Sequence, residues 1–131
     1  MDYAIAAKLY QQAADKGQPK AQNNLARCYM NGTGVARDDV KGVEWYRKAA
    51  IQGEAMSQLN LGLMYAQGRG VPRDLIQAYA WVDLAAANEK QHAPVLRGNL
   101  LMQFDPETLI KAKTAAAKLA QQFAQANGGK T

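Results

Sequence analysis

Four groups of residues have types and spacings that chemistry could use. Gly32-Thr33-Gly34 and Gly68-Arg69-Gly70 invite a phosphate-binding reading, because glycine lets backbone amides approach an anion closely. The dinucleotide fingerprint also needs a preceding strand and a third glycine, and Arg37 and Arg73 stand at that third position, so both segments read as turns. Cys28 and His92 could form a nucleophile and its base. Cys28 lies within a helical pattern among apolar neighbours, however, and no third group is placed to orient the base. Asp38 and Asp39 are adjacent and diverge at a helix start, which disfavours paired-carboxylate catalysis. Trp45 and Trp81 could stack on a ligand, yet each recurs beside small residues, the pattern of a packed core. One cysteine, one histidine and no ligand pair at i, i+4 spacing provide no metal site. The expectation is therefore no catalytic residue, no cofactor and no metal, and a chain that is not an enzyme.

The elements that would hold such residues are helices. Alanine supplies 25 of the 131 residues while Trp, Tyr and Phe total only 10, a balance suited to close helix packing and poor for strands. With 48% apolar and 21% charged residues, the chain has enough apolar surface for a core, which excludes disordered and collagen-like classes. The net charge of +5 is spread along the chain without a basic arm, so nucleic acid is not the expected partner. No apolar run is long enough for a membrane span, and no membrane insertion is expected. The first residues lack the basic and apolar blocks of a signal peptide, so an export signal would have to precede residue 1.

The sequence repeats with a period of 36. Residues 21–54 set against 57–90 give 12 identities in 34 positions, among them Gln22/Gln58, Leu25/Leu61, Tyr29/Tyr65, Gly34/Gly70, Asp38/Asp74 and Trp45/Trp81. A further step back places Asp2, Tyr10, Ala13, Ala14 and Gly17 under Asp38, Tyr46, Ala49, Ala50 and Gly53, so the chain begins inside a repeat. Within a unit, Leu25 and Tyr29 share one face of a first helix at i, i+4. The glycine pair ends it, Val35 or Val71 tucks the loop inward, and Asp38 or Asp74 caps a second helix that carries the tryptophan beside a small residue. Leu25, Tyr29, Trp45, Leu61, Tyr65 and Trp81 are the predicted core. After residue 90 the period fades. Asp105-Pro106-Glu107 then opens a last helix to about Ala126, which covers the final apolar face of the array. The organisation expected is one domain over 1–126, with a half repeat at 2–18, full repeats at about 19–54 and 55–90, a degenerate unit and capping helix at 91–126, and a flexible tail at 127–131.

These residues resemble the Sel-one-like repeat (SLR) family, a relative of the tetratricopeptide repeats. The family pattern is matched nearly throughout by Leu61-Gly62 and Tyr65, by Gly68 through Asp74, and by Ala78, Trp81, Ala85 and Ala86. The first full unit departs from it at Ala26, where glycine is usual, and at Gly42, where alanine is usual. The resemblance implies an all-α, right-handed superhelix of antiparallel helix pairs that serves as a scaffold for a protein or peptide on its concave side. The tetratricopeptide register then places Asn23, Arg27 and Asn31, with Leu59, Leu63 and Gln67 one unit on, in the binding groove. The alternative it implies is a cell-envelope protein acting on or binding peptidoglycan-related ligands. Export to the periplasm would follow if a signal peptide precedes the chain, and a cytoplasmic location otherwise. Oligomeric state is left open.

Overall fold

The computed structural model describes residues 2–128. Among them there are seven helices and no strand: α1 Tyr3–Asp15, α2 Pro19–Asn31, α3 Asp39–Ile51, α4 Ala55–Gln67, α5 Leu75–Ala85, α6 Ala93–Leu101 and α7 Pro106–Gly128. The expected tail begins at 127, but α7 runs on to Gly128, and residues 129–131 lie outside the described residues.

Each boundary has a local cause. Asp2, Asp38 and Asp74 cap α1, α3 and α5, and the Asp74 carboxylate accepts from the Ile76 and Gln77 amides at 3.1 and 3.0 Å. Asp105 accepts from the Thr108 amide at 2.7 Å at the start of α7. Gly32 and Gly68 end α2 and α4 at φ 67° and 68°, a left-handed conformation that other residues adopt only under strain. The second glycine of each pair serves close approach: a Cβ on Gly34 would meet the Tyr3 carbonyl, and one on Gly70 the Asp39 carbonyl, each at the start of the preceding second helix.

Packing inside each pair depends on one glycine per crossing, and it explains the two departures from the family pattern. In the first full unit the glycine is on the second helix: a Cβ on Gly42 would collide with Met30 Sδ and lie 3.3 Å from the Ala26 carbonyl. In the next unit it is on the first helix: a Cβ on Gly62 would lie 2.6 Å from Val82 Cγ2 and 3.1 Å from the Ala78 carbonyl. Ala26 with Gly42 and Gly62 with Ala78 are thus the same contact with its members exchanged, and each lets the helices approach to the density of a packed interior.

The core forms three apolar clusters along the array. Ala14, Ala21 and Leu25 anchor the first, Ala26, Met30, Tyr46, Leu61, Met64 and Trp81 the second, and residues of α5, α6 and α7 with Leu59 the third. Leu25, Leu61 and Trp81 are buried as expected, whereas Tyr29, Trp45 and Tyr65 are only half-buried. Their outer faces carry cations: Lys48 Nζ sits 4.4 Å from the Trp45 ring centre, Lys41 Nζ 5.6 Å from that of Tyr29, and Arg47 donates to the Tyr65 hydroxyl at 2.7 Å. α7 packs along α5 with Phe123 edge-on to Trp81, and Phe104, in the turn before α7, is edge-on to Tyr79, each pair 6.0 Å between ring centres.

Candidate protein-interaction surface

The joints between units are polar and repeat with the period. Gln22 Nε2 donates to the Ala14 carbonyl, and Gln58 Nε2 to the Ala50 carbonyl, both at 3.2 Å and both from buried side chains. Each carbonyl, in the last turn of the preceding helix, already accepts from the Gly17 or Gly53 amide, so the added bond serves the buried glutamine amide, which would be costly to leave unpaired. The identity at this position was visible in the repeat, but its role emerges only from the packing. Ser57 Oγ and Asn60 Nδ2 both donate to Asn23 Oδ1, at 2.9 and 3.2 Å, and thereby set the first helices α2 and α4 side by side. At the loop edge, Arg69 donates to the Met30 carbonyl at 3.1 Å and, with Arg37, clamps Asp39. Hydrogen bonds from Arg37 and then Arg69 hold the Asp39 carboxyl at about 2. Asp38 faces the α3 backbone instead, accepting from the Lys41 amide at 3.1 Å, so the adjacent carboxylates do separate jobs.

The six residues expected in the groove take different places. Arg27, Asn31 and Gln67 are exposed, Asn23 is half-buried in the α2–α4 joint, and Leu63 is half-buried beside the second cluster. Leu59 does not reach the surface: it is 4% exposed and belongs to the cluster formed with α5, α6 and α7. The aperiodic segment after residue 90 builds that cluster, so a register borrowed from regular repeats does not foresee it. Arg27 and Asn31 also line a groove of about 200 Å³ between α1 and α2, whose other wall includes Tyr3, Ala6 and Tyr10.

The residues considered for chemistry are dispersed. Cys28 is buried on α2, and burial pushes its thiol up despite the opposing influence of Arg27. His92 precedes α6, where its amide and that of Ala93 donate to Glu89. Among the described residues no group of three His, Cys, Asp or Glu side chains could hold a metal ion, and no helix is long and apolar enough to cross a membrane.

The Sel1 repeat model matches residues 2–18, 19–54 and 55–89. Among solved structures, the chain is similar to a protective antigen present in uropathogenic Escherichia coli strains that displays an SLR fold, with 33% identity and a TM-score of 0.86. It is also similar to a Sel1 repeat protein from Oxalobacter formigenes, with 31% identity and a TM-score of 0.73. Both likenesses cover 95% of this chain but only 27% and 55% of those chains. A comparison with curated proteins gives no match. The seven helices are therefore a right-handed α–α superhelix of the kind whose members are generally protein-interaction scaffolds, and the chain belongs to the Sel1 repeat family.

Proposed function

We infer that this chain is a non-catalytic scaffold that binds a protein or peptide partner along the ridge of its first helices α2 and α4. The observation that carries this reading is the α2–α4 joint. Asn23, tied to Ser57 and Asn60, aligns two helices whose outer residues Arg27, Asn31 and Gln67 are exposed and whose Leu63 is half-buried against the second apolar cluster. A cationic and amide-rich first unit followed by one half-exposed leucine suits an extended peptide or a helix with an acidic or amide group for Arg27 and an apolar side chain for Leu63. Polar contacts of this type set orientation, and a desolvated apolar anchor supplies more of the affinity. The dispersed titratable groups favour binding over catalysis.

The test is crosslinking and pull-down from the native source, followed by affinity measurements on folded variants. Arg27→Glu and Leu63→Asp should each weaken the captured partner by about tenfold or more. Unchanged affinity in both variants refutes the ridge.

A further inference from the structure

We propose that the outer face of α3 binds the same face of a second copy of this chain, as an antiparallel helix pair across a two-fold axis. This goes beyond the ridge reading and shares no residue with it.

The face is a stripe of four residues, Val40, Glu44, Arg47 and Ile51, spaced four, three and four apart, as in a coiled-coil seam. Val40 and Ile51 at its ends are 56% and 60% exposed, and Glu44 between them is exposed as well. Along the stripe runs a groove of about 320 Å³, whose other wall is Gly70 and Val71 of the loop after α4. α2 and α4 both pack on α3, and the equivalent helices of the neighbouring units, α1 and α5, are both in place. The repeat period therefore calls for no further helix on this face.

The equivalent faces of the other units are provided for within the chain. On α1 the four positions are Ala4, Lys8, Gln11 and Asp15, a polar set in which Gln11 donates to Asp15 at 2.8 Å. On α5 they are Ile76, Ala80, Asp83 and Ala87. Ala80 is buried in the cluster built with α6 and α7, Ile76 packs against that cluster, and Asp83 pairs with Arg97 of α6 at 3.0 Å. Of the three faces, that of α3 leaves two large aliphatic side chains in water on either side of opposite charges.

Self-complementarity selects the occupant. Read in either direction, the stripe is an aliphatic residue, a charge, the opposite charge and an aliphatic residue. An antiparallel second copy sets Val40 against Ile51 and Glu44 against Arg47, twice over by symmetry, the reciprocal contact that an isologous interface requires. A parallel copy would set each charge against its own kind. Glu44 has no ion-pair partner among the described residues, although Arg47 and Lys48 stand at i+3 and i+4. Lys48 instead leans over the Trp45 ring, and Arg47 gives one N–H to the Tyr65 hydroxyl, which holds the guanidinium in place and leaves its other donors for Glu44 of the second copy. With one 13-residue helix from each copy, the contact is at the small end of specific interfaces, so the dimer is weak and concentration-dependent. Each copy keeps its α2–α4 ridge, and the dimer presents two of them.

Sedimentation equilibrium of the full chain from about 10 μM to about 1 mM tests this. A monomer–dimer equilibrium is expected. Glu44→Arg and Arg47→Glu, each verified as folded by thermal unfolding, should weaken it by about tenfold or more, because like charges then meet across the axis. An equimolar mixture of the two variants should dimerise again, since every acid then faces a base, and the Glu44→Arg/Arg47→Glu double variant should recover likewise. Ile51→Asp should also weaken the dimer by about tenfold, because it brings a charge to the apolar ends. A chain that stays monomeric to about 1 mM overturns the proposal. So does a dimer that Glu44→Arg and Ile51→Asp leave unchanged, or a mixture that associates no better than its components. Glu44→Arg and Ile51→Asp alter exposed side chains, and they decide the outcome if Arg47→Glu loses its bond to Tyr65 and fails to fold.

Discussion

The helices α1 and α5 stand at equivalent positions of the repeat in opposite circumstances. At the C-terminal end, α7 lies along α5 and sets the Phe123 ring against Trp81. At the N-terminal end, α1 carries Leu9 at the position of Trp81, and that side chain stands in water. The period assigns equivalent positions to both helices, but burial depends on whether a neighbour is present to complete the packing. A repeat unit cannot bury its apolar face alone, and each joins the core only through its neighbours.

The largest contrast should come from that pair of positions. Trp81→Ala removes a buried ring and is expected to cost about 3–5 kcal/mol in urea unfolding, while Leu9→Ala should change stability by less than about 0.5 kcal/mol. Equal effects would mean that the two ends are packed alike. The helix crossings provide the next contrast. Gly62→Ala forces a methyl against Val82 Cγ2 and the Ala78 carbonyl and should cost about 1–3 kcal/mol, whereas Ala6→Gly, in the open crossing, should lose only the helix propensity of about 0.5–1 kcal/mol. Smaller again are the caps. Asp38→Ala and Asp74→Ala should each cost about 0.5–2 kcal/mol by thermal unfolding and leave partner binding intact. Shifts near zero in both variants would count against capping.

How much of this was legible in the sequence depended on how local the cause was. The caps at Asp38, Asp74 and Asp105, the glycine stops and the all-helical fold follow from short-range backbone chemistry and were readable directly. Leu25, Leu61 and Trp81 were readable as core from their recurrence. Tyr29, Trp45 and Tyr65 recur as faithfully but are only half-buried, and their outer faces are covered in part by Lys41, Lys48 and Arg47 instead of by another helix. Gln22 and Gln58 were visible as an identity without a role, since their carbonyl partners belong to the preceding helix. Of the residues that the borrowed register assigns to a groove, Arg27, Asn31 and Gln67 are exposed, and Leu59 is covered by packing that involves the aperiodic C-terminal segment. The compensating exchange of Ala26 with Gly42 and Gly62 with Ala78 needed coordinates, because each departure from the pattern looks independent along the chain.

The least effect expected is electrostatic and lies at the joint between the first two full units. The Asp39 carboxyl is held at about 2 by Arg37 and Arg69, below its ordinary value. Its contribution to stability is therefore complete above about pH 4 and is lost as the pH falls toward 2. Asp39→Asn should flatten that part of the stability profile and leave the profile near neutral pH parallel to the wild type. An unchanged acid limb in acid-titrated thermal unfolding would show that the clamp is not formed in solution.

Amide hydrogen exchange on this chain tests the dependence of each helix on its neighbours most directly, because it reports local opening helix by helix. α1, with Leu9 58% exposed, should exchange faster than α5, where Trp81 is 5% exposed. An α1 as protected as α5 would contradict that dependence.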